Sequence, residues 1–257
     1  MRSICIISGK GGVGKTTSAV SLSHAMSRYR KTLLIDANLT TPNVNIHLGW
    51  PVLKKTLLEV LKGDASLSET IYTHSSGLRI LPAISSMHDL RSMKFEKLKY
   101  VLDDLREHAD VILMDSSAGL GKEAMTALEA CDEVLIITNP ELAAVMDAQK
   151  TIELAHEMGK TILGVVLTKV RNDKHEMKAE EVEKLLDLPV IGVVPFDEAV
   201  RKAQRMKSPV THSYPRSKAG KSYEELAAML LGEKYFRSVN KKENTLFYYI
   251  LRKLGFA

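Results

Sequence analysis

A nine-residue stretch near the start of the chain has the composition of a phosphate-binding loop. Residues 9–17 read GKGGVGKTT, and Gly9–Thr16 matches the pattern GxxxxGK[ST]. In this pattern glycines turn backbone N–H groups towards phosphate oxygens, the lysine neutralises the β- and γ-phosphates, and the next hydroxyl binds Mg²⁺. We therefore expect Lys15 to contact phosphate and Thr16 to ligate the metal. The residues of the loop predicted to bind the nucleotide are Gly9, Lys10, Gly11, Gly12, Val13, Gly14, Lys15, Thr16 and Thr17.

Strands and helices alternate along the chain, and the loop lies between the first strand and the first helix. Continuous apolar runs such as VLIIT at 134–138 suit strands buried on both faces of a parallel sheet. The predicted strands are Ser3–Ser8, Thr32–Asp36, Leu78–Leu81, Val111–Asp115, Val134–Thr138, Thr161–Thr168 and Val190–Pro195, and the predicted helices include Thr16–Arg28, Met87–Leu105, Glu141–Glu157 and Ala179–Leu186. The fold class is α/β, a doubly wound, mainly parallel sheet with helices on both faces.

A second lysine, Lys10, gives the loop the form KGGVGKTT. This octet resembles the deviant Walker A motif of the MinD/ParA family of P-loop ATPases, and the resemblance covers roughly residues 2–231. It implies ATP and Mg²⁺ as cofactors and an ATP-sandwiched homodimer in which Lys10 reaches the nucleotide of the other subunit. Alternatively, Lys10 only adds positive charge near its own nucleotide.

The segment Leu33–Asn45, LLIDANLTTPNVN, resembles switch I of this family. The resemblance places Asp36 near the Mg²⁺ shell and Asn43 near the attacking water. Asn38 stands where the family usually has a water-orienting aspartate, and an amide can hydrogen-bond a water but cannot accept its proton. Slow hydrolysis is one expectation. The alternative is that this position never dominated the rate, because phosphoryl transfer depends mainly on positioning and electrostatics.

The segment Val111–Gly119, VILMDSSAG, resembles switch II, with Asp115 as the Walker B acid and Ser117 in place of the usual proline. Mg²⁺ would then be held by Thr16, Asp36 and Asp115, although Asp115 could also be an ordinary acid at a strand end. The predicted catalytic residues are Lys10, Lys15, Asp36, Asn38, Asn43 and Asp115.

Two later strand ends match the places where this family holds adenine. These are Thr168 with Lys169, and Pro195 with Phe196 and Asp197. Phe196 replaces a residue that is usually polar, so it either packs on the base or fills the core. Asp147 matches an aspartate near the dimer and partner surface of the family, and a solvated helix face is the alternative.

The last fourteen residues, NTLFYYILRKLGFA, form an amphipathic pattern. At helical spacing, large apolar residues lie opposite tyrosines and cations, which suits a membrane interface and resembles the membrane-targeting helix of the MinD branch. The predicted membrane-contacting residues are Leu246, Phe247, Ile250, Leu251, Arg252, Lys253 and Leu254. We thus expect an ATPase domain over 1–240 and a linker with an amphipathic helix over 241–257. Alternatively, this helix docks on the protein's own surface or on a partner.

Composition narrows the class of protein further. No apolar run reaches the ~18–20 residues of a membrane-spanning helix and no secretory signal is evident, so we expect a cytoplasmic protein. The resemblance of the tail to the membrane-targeting helix implies a peripheral location at the inner face of the cell membrane. Cys5 and Cys131 are far apart in the chain, which disfavours a paired-cysteine metal or cluster site. Residues 201–257 carry 13 Lys/Arg and 4 Glu, a net +9 against −4 for residues 1–200. This basic segment indicates contact with an anionic surface, either lipid headgroups or nucleic acid. Alternatively, it is only a solvated basic face of the protein.

These patterns favour a MinD-like ATPase that binds the membrane as a dimer and recruits an unidentified regulatory or cargo protein, to position division-site or other polar machinery. A ParA-type, DNA-associated partitioning ATPase is the first alternative. The apolar residues of the tail argue against it, because phosphate binding needs charge. A nucleotide-gated scaffold with little hydrolysis is the second alternative, which Asn38 would permit.

Overall fold

The structure is a computed structural model that describes residues 1–39, 41–50, 53, 55–83 and 98–235. The predicted linker and amphipathic tail over 241–257, with all seven membrane-contacting residues, lie outside these ranges, as does the first part of the predicted helix Met87–Leu105.

Eight strands form one sheet in the described residues, in the order β3-β4-β2-β5-β1-β6-β7-β8. They are β1 (Arg2–Ser8), β2 (Thr32–Asp36), β3 (Tyr72–Thr73), β4 (Arg79–Leu81), β5 (Val111–Ala118), β6 (Glu133–Thr138), β7 (Thr161–Val170) and β8 (Val190–Pro195). All neighbouring strands are parallel except β3 and β4, which are antiparallel. The seven predicted strands are confirmed. The additional strand β3 has only two residues, too few for an alternating pattern to show it.

Helices cover both faces of this sheet. They are α1 (Lys15–Met26), α2 (Val44–Leu48), α3 (Leu57–Lys62), α4 (Leu67–Thr70), α5 (Leu98–Asp104), α6 (Lys122–Ala130), α7 (Leu142–Glu157), α8 (Ala179–Leu186), α9 (Glu198–Arg205), α10 (Val210–Ser213) and α11 (Lys218–Leu230), with a 3-10 turn at Leu105–Glu107. Side chains alternate along β1, so Cys5 and Ile7 join a core with α5 to α8, while Ile4 and Ile6 join a second core with α1 and α11. Two buried cores on opposite faces confirm the doubly wound α/β fold.

The two cysteines, distant in sequence, meet in the first of these cores. Both are buried and unoxidised. The pKa of the Cys5 thiol is raised well above its ordinary value, first by its hydrogen bond with Cys131 and then by burial. Among the described helices none has the length and apolar character needed to cross a bilayer.

Candidate nucleotide site at the carboxyl edge of the sheet

The loop between β1 and α1 is shaped by its glycines. Gly12 and Gly14 have φ of +79° and +103°, in the left-handed region that favours glycine. Gly14 is the N-cap of α1, so the first N–H groups of that helix point towards the loop and favour an anion there. The Ser8 hydroxyl donates to the Lys10 carbonyl at 2.8 Å and fixes the start of the loop.

Gly9 is needed for packing, in addition to any role in phosphate binding. A Cβ placed on Gly9 would lie 2.1 Å from the backbone oxygen of Asp147 in α7. The first glycine of the loop is therefore required by the close approach of α7, a reason that the sequence pattern does not reveal.

Lys15 is largely buried, with 8% of its surface exposed. Burial lowers the pKa of its ammonium group, and the nearby Asp115 carboxylate opposes that shift. A desolvated cation at the mouth of a glycine loop is suited to bind an anion, because charge interactions are stronger where water is excluded.

Asp36 and Asp115 lie beneath the loop as direct register partners on the parallel strands β2 and β5, and both are fully buried. The Asp36 oxygens accept hydrogen bonds from the backbone N–H groups of Asn38 and Val44, each at 3.1 Å. Neither oxygen of Asp115 accepts a hydrogen bond of standard geometry from the described residues.

Both carboxyl groups hold protons more tightly than usual. Burial raises the pKa of Asp115 to about 6, although the Thr16 hydroxyl and the Lys15 ammonium oppose the shift. Burial, and then the charge of Asp115, raise the pKa of Asp36 well above its ordinary value. Two buried acids, of which Asp115 accepts no hydrogen bond of standard geometry from the described residues, fit a divalent cation such as Mg²⁺, which prefers carboxylate ligands and removes their repulsion. The chemistry of the donor set therefore matches the predicted metal residues Thr16, Asp36 and Asp115.

The two switch I asparagines are both tied to Thr41, which sequence reasoning did not single out. The Thr41 hydroxyl donates to the Asn38 side-chain oxygen at 3.0 Å, and the Asn43 amide donates to the Thr41 carbonyl at 2.9 Å. The three residues lie along one wall of the cleft described next. This local network restrains both asparagine side chains on that wall.

A cleft of about 660 Å³ opens above the loop, a size typical of small-molecule sites. The predicted residues that line it are Gly11, Gly12, Gly14, Lys15, Thr16, Thr17, Asn38, Asn43, Thr168, Lys169, Pro195, Phe196 and Asp197. Gly9, Lys10 and Val13 lie outside this lining, and Asp36 and Asp115 lie beneath it. One cleft thus brings together the loop, switch I and both predicted adenine segments.

At the end of the cleft formed by the two predicted adenine segments, polar side chains mainly make hydrogen bonds within the protein. The Thr168 hydroxyl donates to the Val13 carbonyl, and the amide of Asn139 donates to the Thr168 carbonyl at 2.9 Å. The Asp197 carboxylate accepts from the N–H groups of Ala199 at 2.9 Å and Ala219 at 3.0 Å. Although burial opposes it, these backbone hydrogen bonds hold the pKa of Asp197 below its ordinary value. Asn139, directly after β6, was missed by the sequence reasoning.

Phe196 does not fill the core. It is 39% exposed and lies on the wall of the cleft, with the Arg171 guanidinium carbon 4.3 Å from the centre of its ring. Of the two alternatives for Phe196, the core-filling one is therefore wrong. The ring and the guanidinium form a flat, cationic wall of the kind on which a base can stack.

Lys10 does not line the cleft of its own chain. Its ammonium lies 3.6 Å from a carboxylate oxygen of Glu141, just before α7, and its side chain is 45% exposed. Leu142 and Met146 on α7 are 61% and 41% exposed. Leu120 is also exposed and follows Gly119, whose N–H donates to the Ser8 carbonyl beside the loop. Lys10 is therefore partly exposed and pairs with Glu141, the residue just before the exposed Leu142 of α7.

Gln204 of α9 also reaches the loop, and no sequence pattern indicated it. Its side-chain nitrogen lies 3.0 Å from the Thr17 hydroxyl and 3.3 Å from Nε2 of His47, and both partners line the cleft. Gln204 and Thr17 are 187 positions apart in the chain, so only the fold brings them together.

Comparison with known proteins agrees with this geometry. Residues 4–210 match the model of the CobQ/CobB/MinD/ParA nucleotide binding domain. The chain is 35% identical to an ATP-binding protein of Methanocaldococcus jannaschii, with 94% of this chain and 92% of that protein aligned. It is 32% identical to the antiactivator FleN of Pseudomonas aeruginosa (87% and 84%) and 32% identical to the septum site-determining protein MinD of Escherichia coli K12 (94% and 96%).

Solved structures show the same fold. The septum site-determining protein MinD of Pyrococcus horikoshii, complexed with Mg-ADP, superposes with a TM-score of 0.84 at 33% identity, covering 89% of this chain and 95% of that one. MinD in the MinC:MinD complex of Aquifex aeolicus gives a TM-score of 0.80 at 26% identity, covering 93% and 99%. The fold that carries the phosphate loop and the buried acids is shared with these relatives, and the chain belongs to the CobQ/CobB/MinD/ParA nucleotide-binding family as a MinD/ParA-type ATPase.

Proposed function

We propose that the protein is a Mg²⁺-dependent ATPase of the MinD type that dimerises around ATP, binds the cytoplasmic face of the membrane and recruits a partner protein that positions division-site or polar machinery. The observation that carries the proposal is the placement of Lys10. It lies outside its own cleft, on a surface with the exposed side chains of Leu142 and Met146, where a second subunit could present a nucleotide. The relative whose solved structure is a complex with Mg-ADP supports the choice of nucleotide and metal.

In this proposal the loop holds the phosphates and the acids hold the metal. The backbone N–H groups around Gly12 and Gly14 and the ammonium of Lys15 bind the phosphate oxygens. Thr16, Asp36 and Asp115 hold Mg²⁺, which when bound neutralises charge on the phosphates. Binding of the cation would replace the repulsion between the two buried acids by attraction, so it would favour their charged forms.

Hydrolysis needs a water aligned with the terminal phosphate. Asn38 and Asn43, both hydrogen-bonded to Thr41, would orient such a water through their side-chain amides. Neither amide can accept a proton, so positioning by these two residues and charge neutralisation by Lys15 would account for the rate. We therefore infer a slow ATPase, suited to a molecule that stays bound until a partner acts.

A dimer would complete the site. Lys10 is held by Glu141 in the single chain, and an exposed ion pair of this kind contributes at most about 1 kcal/mol. A polyphosphate of a second subunit would be a stronger partner for the ammonium. Burial of Leu120, Leu142 and Met146, all more than a third exposed, would add an apolar contribution to association.

The proposed ATPase domain ends at residue 240, and the tail begins at 241. The last described helix, α11, ends at the amino edge of the sheet, where Arg2 at the start of β1 donates to the Leu230 carbonyl and Arg30 pairs with Glu233. The cleft and Lys10 lie at the opposite, carboxyl edge. The described part of the chain therefore ends at the edge of the sheet opposite the surface around Lys10.

Partner recruitment is supported by two relatives. One is named an antiactivator, and another comes from the solved structure of a MinC:MinD cell division protein complex. For this chain the surface around Asp147, which is 39% exposed on α7, is the proposed partner surface. Its backbone abuts Gly9, so a nucleotide in the loop would affect this part of α7.

Co-sedimentation with vesicles of anionic phospholipid tests the proposal. The full chain, a chain truncated after residue 240 and Lys10→Ala would each be spun with Mg-ATP and with Mg-ADP at physiological salt. We expect only the full chain with Mg-ATP to pellet, because two tails on one dimer bind more strongly than one. Failure to pellet, together with salt-sensitive binding to duplex DNA, would replace this proposal by the DNA-associated alternative.

A further inference from the structure

The side chain of Gln204 joins two parts of the cleft that are remote in sequence. Its nitrogen lies 3.0 Å from the hydroxyl of Thr17 in the phosphate loop and 3.3 Å from Nε2 of His47 in α2. All three residues line the cleft. No other described residue carries a hydrogen bond between the loop and α2.

The chemistry of these groups sets the direction of each hydrogen bond. Nδ1 of His47 faces the Asn43 carbonyl at 3.0 Å, and a carbonyl only accepts, so Nδ1 carries the proton. In the neutral ring Nε2 is then an acceptor, which matches a donor from the NH₂ group of Gln204. The second N–H of that group donates to the Thr17 oxygen. The Thr17 hydroxyl proton is thus left to donate elsewhere, and a phosphate oxygen in the cleft is a suitable acceptor.

Helix α2 is held at both ends by groups of the cleft. At its start the Val44 N–H donates to the buried Asp36 carboxylate at 3.1 Å. Towards its end His47 is held by Gln204, and the Lys207 ammonium donates to the Ile46 carbonyl at 3.2 Å. This short helix directly follows Asn43, so its position sets where switch I lies.

The single tryptophan of the chain, Trp50, lies at the end of this helix. Its backbone N–H donates to the Asn45 carbonyl at 2.9 Å, and its indole ring lies 5.6 Å from the His74 ring and 6.0 Å from the Tyr72 ring. A displacement of α2 therefore changes the surroundings of the only indole and should be visible in its fluorescence.

We propose that Gln204 is a positioning residue. It couples nucleotide binding at Thr17 to the position of switch I, through its hydrogen bond with His47. The inference rests on the proposed function, because it needs a nucleotide in the cleft. When phosphate draws the Thr17 hydroxyl, the amide of Gln204 follows its acceptor, and His47 moves with it. The arrangement makes the orientation of α2 depend on occupancy of the loop without direct contact between α2 and phosphate.

The test is the emission of Trp50 at saturating Mg-ADP and Mg-ATP, with affinities measured separately by isothermal titration calorimetry. The variants are Gln204→Met, which keeps length and removes both hydrogen bonds, and Gln204→Glu, which keeps shape and has only acceptors. Lys202→Met is the matched control, since Lys202 is exposed on the same helix and does not line the cleft.

We expect nucleotide to change the Trp50 emission of the wild type and of Lys202→Met. In Gln204→Met the change in Trp50 emission at saturating nucleotide should fall to less than about a fifth of the wild-type change. The affinity for nucleotide should weaken only about 2- to 10-fold, as for the loss of one neutral hydrogen bond. In Gln204→Glu the Thr17 hydroxyl would donate to the carboxylate instead of phosphate, so affinity should fall by more than about tenfold.

Several results would overturn the inference. A full Trp50 response in Gln204→Met, or no response in a wild type that binds nucleotide, removes the link through Gln204 and leaves the proposed function intact. A wild type that binds no nucleotide overturns both. Because Gln204→Glu is read by affinity as well as by fluorescence, the question is answered even where the methionine variant folds poorly.

Discussion

Asp36 and Asp115 lie directly across from each other on neighbouring parallel strands, at the carboxyl edge beneath the phosphate loop, and neither is exposed to solvent. Asp36 has two backbone N–H donors, whereas Asp115 has no hydrogen bond of standard geometry among the described residues. Without a cation this pair destabilises the fold, because burial penalises the charge of each acid and the second charge adds repulsion.

Replacement of Asp115 by asparagine should therefore separate stability from metal binding. We expect Asp115→Asn to be at least as stable as the wild type in EDTA, since one buried charge is removed. The rise in melting temperature that Mg-ADP gives the wild type should be mostly lost. Differential scanning fluorimetry with and without Mg²⁺ measures both effects. Asp64→Asn, at an exposed acid, is the control and should behave as the wild type.

Gly9 and Gly11 provide a contrast within one loop. An alanine at Gly9 places its Cβ 2.1 Å from the Asp147 backbone oxygen, whereas one at Gly11 meets nothing within 4 Å. We expect Gly9→Ala to lower the free energy of unfolding by about 1–3 kcal/mol through overpacking, and Gly11→Ala to change it by less than about 0.5 kcal/mol. Urea denaturation of the nucleotide-free proteins measures this. Equal stability of the two variants would mean that α7 moves away from the loop without cost.

Buried His24 should make stability depend on pH. Burial, aided by the charges of Arg28, His212 and His74, lowers its pKa to about 4. Its Nδ1 lies 2.8 Å from the Thr211 hydroxyl between α1 and α10. Because the folded pKa is below the ordinary 6.5, the unfolded chain binds more protons between about pH 4 and 6.5. The neutral ring therefore makes its full contribution to the free energy of unfolding above that pH window, and this contribution is lost as the pH falls through it.

The variant His24→Asn isolates this effect, since its amide can still donate to Thr211 and does not titrate. Between pH 7 and pH 4 the free energy of unfolding of the wild type should fall by up to about 3 kcal/mol relative to that of the variant. Chemical denaturation at a series of pH values measures the difference, so contributions of carboxylates common to both proteins cancel. A difference that stays constant with pH would show that His24 is not the titrating group.

Particular residues show how much of the fold and of the site the sequence alone predicts. Lys15, Asp36 and Asp115 could be placed correctly because each belongs to a short motif at a strand end, and parallel strands bring their carboxyl ends to one edge. The strands themselves were found because burial on both faces leaves long apolar runs. The added hairpin strand β3 has two residues, and such a short element carries no periodic signal.

Other parts of the site depend on contacts between distant segments. Gln204 meets Thr17 across 187 positions, and Asn139 meets Thr168 across 29. The steric reason for Gly9 lies in the backbone of α7. None of these relations has a local pattern, because each depends on how helices pack on the finished sheet. The resemblance located Phe196, but only its exposure and the adjacent Arg171 show that it forms a wall of the cleft.

Lys10→Ala should remove dimerisation without harm to the single chain. The lysine is half exposed and its partner Glu141 is 64% exposed, so the free energy of unfolding should change by less than about 1 kcal/mol. Sedimentation velocity with Mg-ATP should show a dimer for the wild type and a monomer for the variant. Glu141→Gln, which frees the lysine in the single chain, is expected to keep the dimer. Dimers of Lys10→Ala would assign the lysine to its own nucleotide.

The last prediction concerns the rate of hydrolysis. Asn38 lines the cleft, and its side-chain oxygen is fixed by the Thr41 hydroxyl at 3.0 Å, so an aspartate at the same place would keep that hydrogen bond. Unlike the amide, its carboxylate can accept a proton from water, and a positioned general base typically contributes about 10²–10⁴-fold. We expect Asn38→Asp to raise the single-turnover rate with Mg-ATP by at least about tenfold. Asn38→Ala is the companion variant and should slow the reaction, since the positioning amide is lost. If Asn38→Asp hydrolyses ATP at the wild-type rate, proton acceptance at this position does not limit the reaction, and positioning by Thr41, Asn43 and Lys15 governs it.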